Sequence, residues 1–190
     1  WCAVDVTRWR RGVVLMHVVP SEWFEGDTVI VARAMLGMTL VREWRGRRLE
    51  ATIVETEAYD GPCDKASHAY RGRTKRNAVM FGSPGRWYVY LCYGVHRLLN
   101  VVTGPEGYPA AVLIRSVDVA SGPGRVTNAM RISLAINGRE VAPLSRLWIE
   151  DRGVCVPDDV VIAAPRVGVD YAQEWRDVPY RFILKTLIPQ

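Results

Sequence analysis

The sequence predicts an α+β domain: a mostly antiparallel sheet, a few flanking helices and one protruding β-hairpin. Strand-like runs outnumber helical ones and follow each other without the regular alternation of a parallel-sheet protein. Turn signals separate them at Arg45-Gly46-Arg47, at Gly94 and at Gly104-Pro105-Glu106-Gly107. The length, 190 residues, suits one domain whose core needs no disulfide or metal staple. We assign that domain to residues 21–190 and expect residues 1–20 to form a poorly ordered lead-in.

In chain order, Asp27 is an N-cap for a helix over Thr28–Leu36, and Gly37 is its stop. Met38–Trp44 and Arg48–Tyr59 read as paired strands. The strand period of two puts Glu55, Glu57 and Tyr59 on one face, and Asp60-Gly61-Pro62 ends the run. Residues 61–85 form a loop, the most basic segment of the chain, with Arg73, Lys75 and Arg76 near His68. Trp87–Tyr93 is apolar or aromatic on both faces, the pattern of a central strand. Gly94 turns it into His96–Thr103, leaving Tyr93 at a hairpin tip. Ala110–Val117 is a strand with Arg115 embedded in it. A buried arginine needs a carboxylate, and Glu57 and Glu55 are the candidates. A helix opens at Ser121 with Pro123 in its first turn and runs to about Ala135, with Val126, Met130 and Leu134 on one face. Strands near Leu147–Glu150, Val160–Val169 and Arg181–Leu184 complete the domain.

Composition narrows the function. The formal net charge is +5 and the pI about 9.2, which favours a polyanionic partner. Lysine occurs only at Lys65, Lys75 and Lys185; the rest of the positive charge is arginine, whose planar fork suits phosphate. Cys2, Cys63, Cys92 and Cys155 are far apart, and His17, His68 and His96 lack metal-ligand spacing. No metal and no cofactor are expected, and the thiols suggest a reduced, cytoplasmic setting, nucleoid-associated in a bacterium. No apolar run is long enough for a membrane helix. A monomer is the default for one domain. Serine-elbow, P-loop and dinucleotide motifs are missing; Gly122-Pro123-Gly124 lacks the third glycine. What remains is a carboxylate able to activate water, beside an arginine, in an aromatic and basic setting.

The phrases Val54-Glu55-Thr56-Glu57-Ala58-Tyr59, Asp64-Lys65-Ala66-Ser67-His68-Ala69, Thr74-Lys75-Arg76-Asn77 and Tyr88-Val89-Tyr90-Leu91-Cys92-Tyr93-Gly94 run in order along the chain. They continue through Asn100-Val101, Ala111 to Arg115, Gly122-Pro123-Gly124-Arg125 and Arg166-Val167-Gly168-Val169. In these phrases the chain resembles the 3-methyladenine DNA glycosylases of the alkyladenine (methylpurine) type. The resemblance implies a curved sheet, double-stranded DNA containing damaged purines as partner, and hydrolysis of the N-glycosidic bond of a flipped base. It assigns Glu57 as general base and Arg115 as the arginine that positions the water. It places Tyr59, His68, Tyr90 and Asn100 in the base pocket, and Tyr93 as the wedge that fills the vacated stack. Arg73, Lys75, Arg76 and Arg125 are expected to contact the DNA backbone. The chain departs from the pattern between Arg115 and Gly122, where the family usually carries a longer helix and loop and only Ser116–Ser121 stand here.

Overall fold

The structure, a computed structural model, describes residues 17–185. Its strands are β1 (His17–Val18), β2 (Thr39–Trp44), β3 (Arg47–Tyr59), β4 (Trp87–Cys92), β5 (His96–Thr103), β6 (Ala110–Val117), β7 (Ala120–Ser121), β8 (Leu147–Asp151), β9 (Val161–Ala164) and β10 (Arg181–Leu184). Two α-helices flank them, α1 (Thr28–Ala34) and α2 (Pro123–Ala129). Every strand pair is antiparallel, in the order β1-β8-β2-β3-β6-β5-β4, with β10 joining β3 to β9 and β7 beside β6. The fold is α+β, as the sequence indicates.

β3 is the spine. Its first half pairs with β2 through a tight turn in which Arg45 and Gly46 take positive φ of 49° and 74°. Its second half is held on both edges: Glu57 lies opposite Leu113 of β6 and opposite Arg181 of β10. The β6 register shifts at Glu55, a bulge that increases local twist. Behind β3, α1 starts at Asp27, whose carboxylate accepts from the Val29 and Ile30 N–H groups at 2.9 and 3.0 Å. Its Val31 and Ala32 are buried with Ile53, Ile114 and Val126 in the main core.

Four expectations need correction. β4 ends the sheet order instead of lying at its centre. Its apolar pattern has another cause: residues 137–141 cover its outer edge. Trp87 N–H donates to Arg139 O and Gly138 N–H to Trp87 O, both at 2.8 Å, and Val89 N–H donates to Asn137 Oδ1 at 3.0 Å. The second helix begins after Gly122, not Ser121, and stops at Ala129, well short of Ala135. Arg131 turns left-handed there (φ 52°) and Ile132 N–H closes onto Thr127 O at 2.8 Å, a C-terminal stop made without glycine. Leu134 consequently falls in a separate 3-10 turn and is exposed. The strand expected over Val160–Val169 shortens to β9, because Pro165 follows it without an N–H to donate. Residues 1–16 of the expected lead-in lie outside the described residues, whereas 17–20 join the domain: His17 and Val18 pair with Asp151 and Glu150, and Val19 is buried.

The short connection after Arg115 closes neatly. β7 folds back on β6 around Asp118-Val119, pairing Ser121 with Ser116 and Ala120 with Val117. Asp118 clamps the turn to β3, accepting from Thr52 N–H at 3.0 Å and donating its own N–H to Thr52 O at 2.9 Å. Among the described residues, no helix is long and apolar enough to cross a membrane.

Candidate active site

The site is built from the middle of the sheet outward. Alternation along β3 brings Glu55, Glu57 and Tyr59 to one face, and Arg115 of the neighbouring β6 reaches the same face. Its Nε lies 3.2 Å from Glu55 Oε1 and its Nη1 3.5 Å from Glu57 Oε1. The two carboxylates then differ. Glu55 also accepts from Ser116 Oγ and, at 3.2 Å, from Arg181 Nη1, and it does not line the cavity. Glu57 is 0% exposed overall yet lines a cavity of about 660 Å³. Tyr59 O–H donates to Glu57 Oε2 at 2.9 Å, and Val167 N–H donates to Oε1 at 2.9 Å. Burial is the largest influence on this carboxyl and raises its pKa; the Arg115 charge and the two hydrogen bonds oppose it. A base with that balance is stronger than a surface glutamate, while its neighbours keep the ionised form within reach.

Aromatic rings form the walls. Tyr90 and Tyr88 pack at 5.1 Å between centroids, and His68 meets Tyr90 edge-on at 4.6 Å with an interplanar angle of 69°. His68 and Tyr90 therefore touch each other on one side of the cavity instead of facing across a gap wide enough for a base. His68 Nδ1 lies 3.0 Å from the Tyr88 hydroxyl. Burial, seconded by the Arg76 charge, lowers the His68 pKa to about 4, although the residue is exposed at the cavity. The imidazole is neutral at pH 7. Burial likewise pushes the Tyr88 phenol up to about 12. Asn100, buried on β5, donates Nδ2 to Tyr88 O at 3.1 Å, which orients its amide at the cavity wall.

The basic loop is held in shape by one side chain. Asn77 is buried; its Oδ1 accepts from Thr74 N–H at 2.6 Å, and its Nδ2 donates to His68 O and Gly72 O at 2.8 and 2.9 Å. Arg76 leaves this loop to stand over Tyr90 at 4.9 Å and donates to Leu91 O at 3.0 Å. Arg73 lies over Phe81 at 5.8 Å, and Lys75 is exposed. Arg125, in the first turn of α2, is exposed and lines the cavity. Tyr93 caps the β4–β5 hairpin, 94% exposed, with a left-handed φ of 50° that a bulky side chain rarely adopts.

The geometry adds residues that the sequence reading passed over. Val167 acts through its backbone N–H, which no residue type advertises. Arg166 and Asp64 form a fully buried ion pair. The Arg166 guanidinium stacks on Tyr59 at 4.9 Å and donates to Ala58 O at 2.8 Å, supporting the tyrosine that contacts Glu57. Both residues stand within the phrases quoted above, so position in a motif was the available signal. Among the described residues, no group of three His, Cys, Asp or Glu side chains is arranged to hold a metal ion.

Fold and site together define a class: an antiparallel α+β domain with a sealed carboxylate beneath an aromatic, cation-rimmed cavity and an exposed aromatic hairpin beside it. A family model described as methylpurine-DNA glycosylase matches residues 22–121 and 116–187. The two matches meet at the short β6–β7 connection. A protein of Methanocella arvoryzae, provisionally named 3-methyladenine DNA glycosylase, is 46% identical over 187 residues, covering 88% of this chain and 92% of its own. Proteins given the same provisional name in Anaeromyxobacter dehalogenans (47% over 175 residues, 88% and 82% covered) and Chlamydia pneumoniae (42% over 180 residues, 83% and 90% covered) are similar throughout. The chain belongs to the methylpurine-DNA glycosylase family.

Proposed function

We propose that this chain is a monofunctional DNA glycosylase of base-excision repair. It takes alkylated or deaminated purines of the 3-methyladenine, 7-methylguanine, hypoxanthine and ethenoadenine class out of duplex DNA and hydrolyses the N-glycosidic bond, leaving an abasic site. The observation that carries this reading is Glu57: a fully buried carboxylate at a cavity floor, held by one cation and two hydrogen-bond donors. In this mechanism Glu57 removes a proton from water as the oxygen attacks C1′, and its charge stabilises the oxocarbenium-like sugar. The bond from C1′ to the purine nitrogen breaks, and the electron pair leaves with the base. Arg115 orients the water and the carboxylate. An alkylated purine already carries positive charge, so it leaves readily and stacks well on neutral, electron-rich rings.

Tyr59, His68 and Tyr90 supply those rings, and neutral His68 adds no opposing charge. The contact between His68 and Tyr90 must open for a base to enter between them. Asn100, its amide oriented by the Tyr88 carbonyl, discriminates against the exocyclic amine of guanine. Tyr93 wedges into the minor groove, and Arg73, Lys75 and Arg125 hold phosphates at the rim. Arg76 divides its role between the backbone and the Tyr90 wall. The reaction in this reading is simple hydrolysis without strand cleavage.

The test is release of free base from a duplex holding a single ethenoadenine or hypoxanthine. Glu57→Gln is expected to slow single-turnover release by about 10²–10⁴-fold, the usual worth of a positioned base, with duplex affinity retained. Equal rates in mutant and wild type would remove Glu57 from the chemistry. A wild type that binds lesion DNA and releases nothing would make the chain a lesion-binding protein.

A further inference from the structure

A second basic surface lies away from the cavity. Arg42 and Trp44 of β2 share a strand face, and Glu43 between them points the other way. Arg42 Nη1 donates to Arg146 O at 2.9 Å, while its Nε is buried with no partner. Burial and the charges of Arg146 and Arg139 lower the pKa of Arg42, the signature of guanidiniums crowded together. The Trp44 ring carries two more, Arg45 at 4.7 Å and Arg131 at 5.5 Å.

Several arginines elsewhere lie beside carboxylates, which this cluster lacks. Arg33 pairs with Asp158, Arg48 and Arg152 with Glu50 and Glu150, Arg86 with Glu140, and Arg176 with Asp177. Among the described residues, none of Arg42, Arg45, Arg131, Arg139 and Arg146 forms such a pair. Gathering like charges without counter-charge costs stability that an anion would recover. Stacking on Trp44 fixes the plane of a guanidinium and leaves its N–H edge for phosphate oxygens.

A shallow groove of about 460 Å³, lined by Lys75, Leu91, Leu134 and Asn137, lies beside the cavity, and Arg76 lines both. Leu134 and Asn137 belong to the segment that carries Arg131 and Arg139.

We propose that this arginine–tryptophan surface binds the phosphate backbone of duplex DNA flanking the lesion, extending the footprint beyond the cavity and hairpin. The inference rests on the reading of the chain as DNA-binding, and its test uses undamaged DNA so that catalysis does not enter. Binding to an undamaged duplex of about 25 base pairs is measured across a salt series for wild type, Arg131→Gln/Arg139→Gln/Arg146→Gln and the matching triple lysine variant. Each phosphate contact contributes about 0.9 to the slope of log K against log salt. The glutamine variant is expected to lose about 2–3 from the slope, while the lysine variant keeps most of it. Saturated base release from a lesion duplex should be unchanged in both. An unchanged slope in the glutamine variant would overturn the proposal, as would an equal loss in the lysine variant. A wild type that binds DNA with the expected slope yet releases no base counts against the glycosylase reading and leaves this surface standing.

Discussion

At the scale of single residues, the proposed base is set apart from its neighbouring glutamate by access to the cavity. Glu55 and Glu57 share a face and an arginine, and each accepts further hydrogen bonds, but of the two Glu57 lines the cavity. Burial holds the Glu57 pKa above the usual carboxylate range, and the Tyr59 hydroxyl works against it. A general base must be ionised, so base release should fall as pH drops through this raised value. Tyr59→Phe removes a hydrogen bond that favours the ionised form. The acid limb of the pH–rate profile is therefore expected to move to higher pH, with the rate on the alkaline plateau recovered in larger part. An acid limb unmoved by the substitution would show that the limb reports another group. The sign follows from the geometry alone: losing a donor to a carboxylate always makes it hold its proton more tightly.

At the scale of elements, the β4–β5 hairpin stores strain where it projects. Tyr93 takes a left-handed φ of 50° and Gly94 one of 70°. Left-handed backbone costs an ordinary residue about 1–2 kcal/mol, a cost glycine avoids. Tyr93→Gly is therefore expected to leave the melting temperature unchanged or slightly higher while base release from a fully paired duplex drops at least tenfold. The loss should be smaller on a lesion already unpaired, since a wedge matters most where a stack must be replaced. A thermal melt and single-turnover rates on paired and unpaired lesions read both arms. The hairpin itself was legible from Gly94 and the flanking strands. The place of β4 at the sheet edge was not, because the segment that covers it lies about fifty residues downstream and covers it through backbone groups. The early end of α2 was hidden for a related reason: Arg131 performs the left-handed stop that glycine usually signals.

At the scale of the whole molecule, the Arg166–Asp64 pair ties distant segments together. Arg166 follows β9 and donates to Ala58 O at the end of β3, to Asp64 in the loop and to Trp175 O. Asp64 in turn accepts from the Asp60 and Ala66 N–H groups at 3.1 and 2.9 Å. Removing one partner of a buried pair strands the other charge and typically costs about 3–5 kcal/mol. Asp64→Ala is expected to lower the denaturant midpoint by that equivalent with an unchanged m-value; a loss below about 1 kcal/mol would mean that water reaches Arg166. The sequence by itself determined the strand alternation that aligns Glu57 with Tyr59, the need of Arg115 for a carboxylate, and the basic loop and hairpin, because each follows from local spacing. Only the tertiary structure decided which glutamate meets the cavity, that Val167 and Arg166 reach Glu57 and its strand from more than a hundred residues away, and that Arg45 and Arg131 meet on Trp44. Those outcomes depend on which strands become neighbours and which backbone groups they leave free, and neither is written in the period of a single segment.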